Sequence, residues 1–236
     1  LMLISIIIPT LNEETHIAKT LRDTLKLKGN FEILAVDGGS NDRTLEIVKD
    51  FPEVKRLCAP KGRALQMNLG ARHAQGEILV FLHADTFLPK EAYASIYQLC
   101  KAKNTVGGSF RLVVDDPNPI FKIYTWFSQW NLEFFTYGDH ALFIKKRIFE
   151  TVTGFKPIPF MEDVEIQHRL RREGRFKKSK LAVVTSSRRF RNNGLIFQIT
   201  VDFLLVMLFK LGIATVRLKK YYPDNIFVSY TYFRAH

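Results

Sequence analysis

The chain has 236 residues, 47% of them hydrophobic, and 35 Lys+Arg against 23 Asp+Glu give it a formal net charge of +12. This composition allows a sizeable core and excludes disordered, collagen-like and disulfide-dense classes of protein. The length predicts one domain, with or without a tail. Cys58 and Cys100 lie in no metal-binding or CxxC pattern, so we expect two buried reduced thiols.

The excess positive charge lies in the C-terminal part of the chain. Residues 145–236 hold 19 basic and 7 acidic residues, whereas residues 1–144 hold 16 of each. A basic surface can attract nucleic acid, an anionic membrane or a phosphorylated ligand, and charge alone does not distinguish these partners. The apolar residues 3–8 lead directly into Pro9 without a basic flank, so no signal peptide is predicted and we expect a cytoplasmic protein.

Short apolar runs alternate with amphipathic segments along the first part of the chain. In order, they occupy residues 3–8, 13–27, 31–36, 42–50, 54–58, 63–73 and 78–82. We predict that the apolar runs are buried parallel strands and that the segments between them are helices, opened by polar residues such as Asn12 and Asn41. Further strands are predicted at residues 106–114 and 141–144. The alternation predicts an α/β fold with a mostly parallel, doubly wound sheet flanked by helices.

Polar residues follow each of the four predicted parallel strands. They occupy residues 9–14, 37–42, 60–63 and 83–86. In open sheets of this kind, ligands bind beyond the carboxyl ends of the strands. Any one of these segments is explained as a turn, but four of them at the same edge predict a ligand site.

The charges in these loops suit a nucleoside diphosphate. Asp37 precedes two glycines at a strand tip, where its carboxylate can accept hydrogen bonds from a base or from ribose hydroxyls. Lys61 and Arg63 flank Gly62 at a helix start, where cations can bind phosphates. Asp85 is placed to hold a divalent cation that bridges phosphate oxygens, and a turn or capping aspartate is an equally good interpretation.

Four motifs carry a resemblance to a known family. Residues 5–14 (SIIIPTLNEE), 36–44 (VDGGSNDRT), 83–85 (HAD) and 161–165 (MEDVE) together resemble the family 2 glycosyltransferases, inverting enzymes with the GT-A nucleotide-sugar fold. The resemblance implies a UDP- or GDP-type sugar donor and a Mg²⁺ or Mn²⁺ ion. It makes Asp85 the last member of an Asp-x-Asp-type metal motif, in which His83 replaces the first acidic residue. Residues 61–68 and 137–140 are similar to a small bacterial branch linked to arsenosugar biosynthesis.

The resemblance also implies roles for individual residues. It places the nucleotide on Thr10, Glu13 and Asp37, and the donor sugar or acceptor near Asp139 and His140, although a lone histidine is equally often structural. The predicted nucleotide-sugar-binding residues are Pro9, Thr10, Asn12, Glu13, Asp37, Gly38, Ser40, Asp42, Lys61, Arg63, Gln66, Asn68, His83, Ala84, Asp139, His140, Arg188 and Arg189.

Inverting transfer needs a base that removes the proton of the acceptor hydroxyl. The candidates are Glu162 and Asp163, which open a predicted helix that runs to Glu173. The positive end of a helix keeps a carboxylate ionised. The resemblance favours Asp163 as the base and Glu162 as its neighbour or substitute, with helix capping as the alternative.

The C-terminal part is basic first and then apolar. Ten cations lie between Arg169 and Arg191 with Glu173 as the only acid, which predicts either a solvated face or a collar for diphosphate or anionic lipid. We assign residues 1–192 to the GT-A domain and residues 193–236 to an apolar helix with a basic tail. The apolar residues 195–211 are too few for a membrane span, so we expect them to pack on the domain, pair with a second subunit or lie on a membrane surface.

The aromatic residues between Phe121 and Phe135 are predicted to be core or a subunit contact rather than a sugar-stacking platform.

The resemblance, together with the strand-end loops, implies the metal-assisted transfer of one sugar, with inversion, to a hydroxyl acceptor, either a lipid or a small molecule. The Gln-x-x-Arg-Trp motif of processive synthases is missing, which favours a single transfer. The alternatives are a nucleotidyl- or sugar-phosphate transferase, an inactive sugar-nucleotide binder, and a basic membrane- or nucleic-acid-binding module. We expect no nucleic-acid partner, because the acidic strand-end loops would repel one.

Overall fold

The structure, a computed structural model, describes residues 2–131, 136 and 138–221. The chain divides into two compact units. The first comprises residues 1–157 and 162–186, and the second comprises residues 158–161 and 187–236. The predicted start of the C-terminal segment, residue 193, lies inside the second unit, and residues 222–236 of its tail lie outside the described residues. Phe134 and Phe135 of the aromatic segment and Tyr137 of the 137–140 motif also lie outside them.

A sheet of eight strands forms the centre of the first unit. Its strands are β1 (Ile4–Thr10), β2 (Phe31–Asp37), β3 (Val54–Cys58), β4 (Ile78–Phe81), β5 (Thr86–Phe87), β6 (Thr105–Val114), β7 (Leu142–Lys145) and β8 (Arg175–Thr185). They lie side by side in the order β3-β2-β1-β4-β7-β6-β8-β5. The pairs β1–β2, β1–β4 and β2–β3 are parallel, which confirms the four predicted parallel strands. β7 and β5 run antiparallel to their neighbours, so the sheet is mixed.

Helices cover both faces of the sheet. They are α1 (Ile17–Leu25), α2 (Thr44–Lys49), α3 (Arg63–His73), α4 (Ala92–Lys101), α5 (Pro119–Phe127), α6 (Lys146–Thr151) and α7 (Glu162–Glu173). On one face, α1 and α4 pack on Ile4, Ile6 and Ile8 of β1. On the other face, α3 and α7 form a second core with Ile7. Because both faces are buried, β1 is apolar almost throughout.

Strand β3 departs from the prediction of a buried strand. It lies at the edge of the sheet, and Lys55, Arg56 and Cys58 are exposed. The expectation that Cys58 is buried is therefore wrong. Cys100 is buried in the core as expected, and burial raises the pKa of its thiol to about 12, with the charge of Lys145 acting in the opposite direction.

The predicted helix caps are also wrong. Helix α1 follows His16 and helix α2 follows Arg43, and neither of these residues provides a side-chain cap. Instead, the Oδ1 atom of Asn12 accepts a hydrogen bond from the backbone N–H of Asn41 at 2.8 Å. The two asparagines therefore join two loops rather than capping two helices.

The second unit is helical. It contains α8 (Arg188–Asn193), α9 (Leu195–Lys210) and α10 (Thr215–Leu218), followed by a short 3₁₀ turn. Within residues 2–131, 136 and 138–221, no helix is both long enough and apolar enough to cross a membrane.

Candidate active site

The carboxylate of Asp37 organises the loop that follows β2. Asp37 ends the strand and is 3% exposed. Its Oδ2 atom accepts hydrogen bonds from the backbone N–H groups of Gly39 and Ser40 at 2.8 and 2.9 Å. Its Oδ1 atom accepts from the hydroxyls of Ser40 at 2.5 Å and Thr10 at 3.3 Å. These contacts hold the loop at the carboxyl edge of the sheet, beside the last residue of β1.

The loops after β1 and β2 bind each other. The backbone N–H of Asn12 donates to the Ser40 hydroxyl at 3.0 Å, and Asn12 itself has a φ of 55°, a conformation that asparagine tolerates. Asp42 accepts from the backbone of Glu14 and from Thr44. Burial opposes ionisation of Asp42, but these hydrogen bonds outweigh it and hold its pKa below the usual value. The two loops are therefore joined into one surface.

Gln66 fastens helix α3 to the same edge. Its side chain is buried, and its Nε2 atom donates to the carbonyls of Thr10 at 2.7 Å and Val36 at 2.8 Å. A Cβ atom at Gly38 would lie 2.9 Å from the amide end of the Gln66 side chain, so a larger residue there would displace that amide. In this structure Gln66 positions the strand ends, and its predicted contact with the nucleotide-sugar stays a prediction.

A cluster of charged side chains lies at the start of α3 and α7. The Nε atom of Arg63 donates to Glu162, and its Nη2 atom lies 4.0 Å from the Oδ2 atom of Asp163. Its Nη1 atom lies 3.4 Å from the Nε2 atom of His83. The four residues line a small cleft, whose remaining lining is Met67, Phe81, Leu142 and Phe155.

The members of this cluster differ in burial. Glu162 and Asp163 are buried, whereas Arg63 is about one-third exposed. The guanidinium thus reaches from solvent to two buried carboxylates. Sequence reasoning predicted Arg63 and the carboxylate pair for separate roles, and the structure brings them together.

The segment before α7 is held in place from two sides. The side-chain amide of Asn68 donates to the Phe155 carbonyl at 2.7 Å and accepts from the Phe155 N–H at 2.9 Å. From the helix side, Arg169 donates to the carbonyl of Gly154 at 2.7 Å and pairs with Glu165. Burial opposes ionisation of Glu165, but hydrogen bonds from Arg169 and Lys156 hold its pKa below the usual value. Asn68 therefore positions this segment, and its predicted contact with the donor stays a prediction.

Asp85 lies in the turn between β4 and β5 and is partly exposed. No group of three or more His, Cys, Asp or Glu side chains suited to a metal ion occurs in the part of the chain that the structure describes. His83 lies 3.4 Å from the Nη1 atom of Arg63, and Asp85 is the carboxylate of the HAD motif. Mg²⁺ is commonly held by one or two carboxylates together with substrate phosphates. The Asp85 carboxylate therefore fits a cation shared with a diphosphate, and the described residues offer no metal site made of protein side chains alone.

Asp139 and His140 lie on a 3₁₀ turn directly before β7. The Nε2 atom of His140 is 3.7 Å from the Oδ1 atom of Asp139, and its Nδ1 atom is 3.2 Å from the Phe110 carbonyl. Burial lowers the pKa of His140 well below its usual value, and the charge of Lys178 lowers it further. His140 is therefore neutral near pH 7 and cannot offer a positive charge to a phosphate.

Sequence reasoning missed the role of Lys178. Strand β8 was not predicted, because its first six residues include four cations, and Lys178 was assigned to a basic surface. Its Nζ atom donates to the Thr136 hydroxyl at 2.9 Å and lies 3.1 Å from the Nδ1 atom of His140. Burial lowers the pKa of Lys178 to about 7, with the charge of Asp139 acting in the opposite direction. The apolar residues Phe176 and Val183 were the available signal for this strand.

The other predicted residues occupy several environments. Pro9 is part of β1 opposite Val36, Lys61 is exposed, and the carbonyl of Ala84 accepts from the Thr20 hydroxyl at 2.5 Å. The backbone N–H of Glu13 donates to the Thr44 hydroxyl at 2.8 Å. Arg188 and Arg189 belong to the second unit, and their predicted phosphate contacts stay predictions.

The aromatic segment is not uniformly core. Phe121 is buried, but Trp126 is 51% exposed and Trp130 is 45% exposed, so these tryptophans are not core, and the alternative of a subunit contact stays a prediction. Their rings contact each other at a centroid distance of 5.3 Å.

Comparison with known proteins identifies a family and a fold. Residues 5–155 match the family model described as Glycosyl transferase family 2. A relative from Methanococcus voltae, dolichyl N-acetyl-alpha-D-glucosaminyl phosphate 3-beta-D-2,3-diacetamido-2,3-dideoxy-beta-D-glucuronosyltransferase, is 35% identical over 94 residues. That match covers 36% of this chain and 29% of the relative. The chain thus matches less than a third of that relative's length.

Two solved structures share the fold. The mannosyltransferase PcManGT from Pyrobaculum calidifontis, in complex with GDP-Man and Mn²⁺, has a TM-score of 0.65 at 20% identity, and the match covers 92% of this chain and 67% of that one. S. aureus TarS in complex with UDP has a TM-score of 0.61 at 19% identity, covering 78% and 60%. The predicted GT-A-type α/β fold is confirmed.

Proposed function

Given that the chain belongs to glycosyl transferase family 2, we propose that it transfers one sugar from a UDP- or GDP-type donor to a hydroxyl acceptor with inversion. The observation that carries the proposal is the cluster of Arg63 with Glu162 and Asp163. A cation suited to a leaving diphosphate and carboxylates suited to a base meet in one cleft. Inverting transfer needs both a base for the acceptor hydroxyl and a group that stabilises the leaving diphosphate.

The donor lies along the joined loops after β1 and β2 in this proposal. Asp37 and Thr10 contact the nucleoside, and Asn12, Glu13, Gly38, Ser40 and Asp42 shape the surface beneath it. The support is that hydrogen bonds at Asp37 and Ser40 join the two loops into one surface. Loops held by such bonds lose less conformational entropy when a nucleotide binds.

Asp163 is the proposed base. It takes the proton of the acceptor hydroxyl as that oxygen attacks the sugar carbon and the bond to the diphosphate breaks. Glu162 holds Arg63 beside it, and Arg63 stabilises the negative charge that develops on the diphosphate. Both carboxylates lie in the first turn of α7.

Asp85 is the proposed ligand of a Mg²⁺ or Mn²⁺ ion, with His83 beside it as an orienting neighbour. When bound together with the donor, such an ion neutralises part of the charge on the diphosphate oxygens. Support comes from the chemistry of the Asp85 carboxylate and from the Mn²⁺ bound in the structurally similar mannosyltransferase.

The acceptor we propose is a hydroxyl on a lipid or a small molecule. The Methanococcus voltae relative acts, by its name, on a dolichyl-linked phosphate sugar, which supports a lipid acceptor. Membership of the arsenosugar-linked branch, a cytoplasmic location, peripheral contact with a membrane and pairing with a second subunit stay predictions.

The first experiment is calorimetric titration with UDP, GDP and their common sugars, with and without Mn²⁺. We expect one nucleotide to bind with metal assistance, and we expect Asp85→Ala to lose the metal dependence. The matched control is Asp23→Asn, a partly exposed aspartate on α1 that pairs with Lys19. Folded protein that binds no nucleotide would overturn the proposal.

The second experiment tests the base. With a donor identified, Asp163→Asn is expected to reduce turnover by roughly 10²- to 10⁴-fold and to change donor affinity by only a few-fold. Proton NMR of the product reports whether the anomeric configuration has inverted. Full activity of Asp163→Asn, or retained configuration, would contradict the assignment.

A further inference from the structure

The second unit carries a long apolar helix whose outer face is exposed. We propose that this face of α9 binds an anionic membrane surface and lies along it. This binding does not depend on the proposed sugar transfer, so the two can be tested separately.

The exposed residues of α9 follow helical spacing. They are Ile196, Phe197, Phe203, Leu204, Met207 and, directly after the helix, Leu211. Ile196 and Leu211 are 70% and 75% exposed, and Phe197 and Leu204 are each more than half exposed. Steps of three, four and seven residues place these side chains on one stripe. Contiguous exposed apolar residues, unlike single scattered ones, mark interaction sites on proteins.

The opposite side of the same helix is covered. Gln198, Leu205 and Val206 are buried, so the orientation of α9 about its own axis is set. Its 16 residues span about 24 Å, which is shorter than the hydrocarbon core of a bilayer. A helix with one buried side and one apolar exposed side, too short to cross, fits a position parallel to the membrane plane.

The only acidic residue between Ser187 and Tyr221 is neutralised by its neighbours. Asp202 accepts hydrogen bonds from Arg189 at 2.7 Å and from Gln198 at 2.8 Å. Burial raises the pKa of Asp202, although the positive charge of Arg189 opposes this. The stripe therefore presents no exposed carboxylate that an anionic surface would repel.

Basic residues flank the stripe at both ends. Residues 187–221 contain seven basic residues and one acidic residue. Arg191 is exposed before the helix, and Lys210, Arg217, Lys219 and Lys220 are exposed at and beyond its end. Anionic lipid headgroups attract such cations. A second copy of the same stripe would bring cations against cations in either orientation, which favours a lipid surface over self-pairing.

The test is co-sedimentation of the whole chain with vesicles, without donor or acceptor. We expect binding to phosphatidylglycerol-containing phosphatidylcholine vesicles, little binding to pure phosphatidylcholine, and weaker binding at high salt. Phe197→Glu with Leu204→Glu is expected to abolish binding. The matched control is Leu25→Glu with Val113→Glu, two exposed apolar residues of the first unit, and it should bind like wild type.

A second variant tests whether the basic residues that flank the stripe contribute to membrane binding. Lys219→Ala with Lys220→Ala should weaken partitioning by roughly 30-fold, which corresponds to about 1 kcal/mol for each cation. Lys101→Ala with Lys103→Ala removes the same charge from the first unit and should leave binding unchanged.

Three outcomes would overturn the proposal. Folded wild-type protein could stay in the supernatant with anionic vesicles at low salt. The Phe197 and Leu204 variant could bind as well as wild type. Sedimentation equilibrium could show a dimer that this variant dissociates, which would make a second copy the occupant of the stripe. Loss of transferase activity produces none of these results, so failure of the two proposals is distinguishable.

Discussion

Replacing Arg63 by methionine should destabilise the fold by stranding a buried carboxylate. Glu162 is 1% exposed, and its oxygen accepts directly from Arg63. Breaking a buried ion pair from one side costs about 3–5 kcal/mol. Because Arg63 is 35% exposed and its loss admits some water, we expect a cost of about 2–3 kcal/mol at pH 8.

Neutralising the partner should reverse most of this loss. In the double variant Arg63→Met with Glu162→Gln, position 162 carries no charge that needs a partner. The double variant should therefore be more stable than Arg63→Met alone by about 2 kcal/mol.

Urea denaturation of the four proteins of the cycle measures these differences. The control is Arg72→Met, an exposed position in the last turn of α3, where we expect a change within about 0.5 kcal/mol. The reasoning is refuted if Arg63→Met destabilises the protein no more than Arg72→Met does. It is also refuted if adding Glu162→Gln to Arg63→Met lowers the stability further.

Three further substitutions test the scaffold of the site. Asn68→Ala removes the side chain that bonds both the N–H and the carbonyl of Phe155, and it should lower the free energy of unfolding by about 2 kcal/mol. An unchanged midpoint of urea denaturation would contradict this. Gly70→Ala places a Cβ atom 2.5 Å from the Ile7 side chain and should lower the free energy of unfolding by about 1–3 kcal/mol. Unchanged stability would show that α3 can move away from the sheet without cost. Lys178 releases its proton near pH 7 in the folded protein and only near pH 10 when unfolded, so wild-type stability should rise over this range by up to about 1.4 kcal/mol per pH unit. Lys178→Met should not show this rise in the free energy of unfolding. If stability changes with pH in the same way in both proteins, the shifted pKa of Lys178 is refuted.

The strand and loop pattern could be predicted because it depends on local sequence. Residues 54–58 were predicted as a strand and residues 63–73 as a helix, and the structure has both with these bounds. Apolar runs buried on two faces, and polar residues at strand ends, leave a signal within a few neighbouring positions. The family motifs add to this signal and point to the same edge of the sheet.

Local pattern was a poor guide where neighbours in space decide the outcome. The apolar residues of β3 predict a buried strand, but β3 lies at the edge of the sheet, and Cys58 is exposed there. Strand β8 reads as a basic surface, because four cations hide the apolar positions that pair it with β6.

The sequence by itself determined the family, the parallel strands β1 to β4 and the loops that carry Asp37, Arg63, Asp85 and Asp163. Only the tertiary structure decided which of these side chains meet. Arg63 contacts Glu162 across 99 positions of the chain, and Asn68 binds Phe155 across 87. The physical reason is that such contacts depend on how α3 and α7 pack on the sheet, and a side chain's own neighbours in sequence carry no record of that packing.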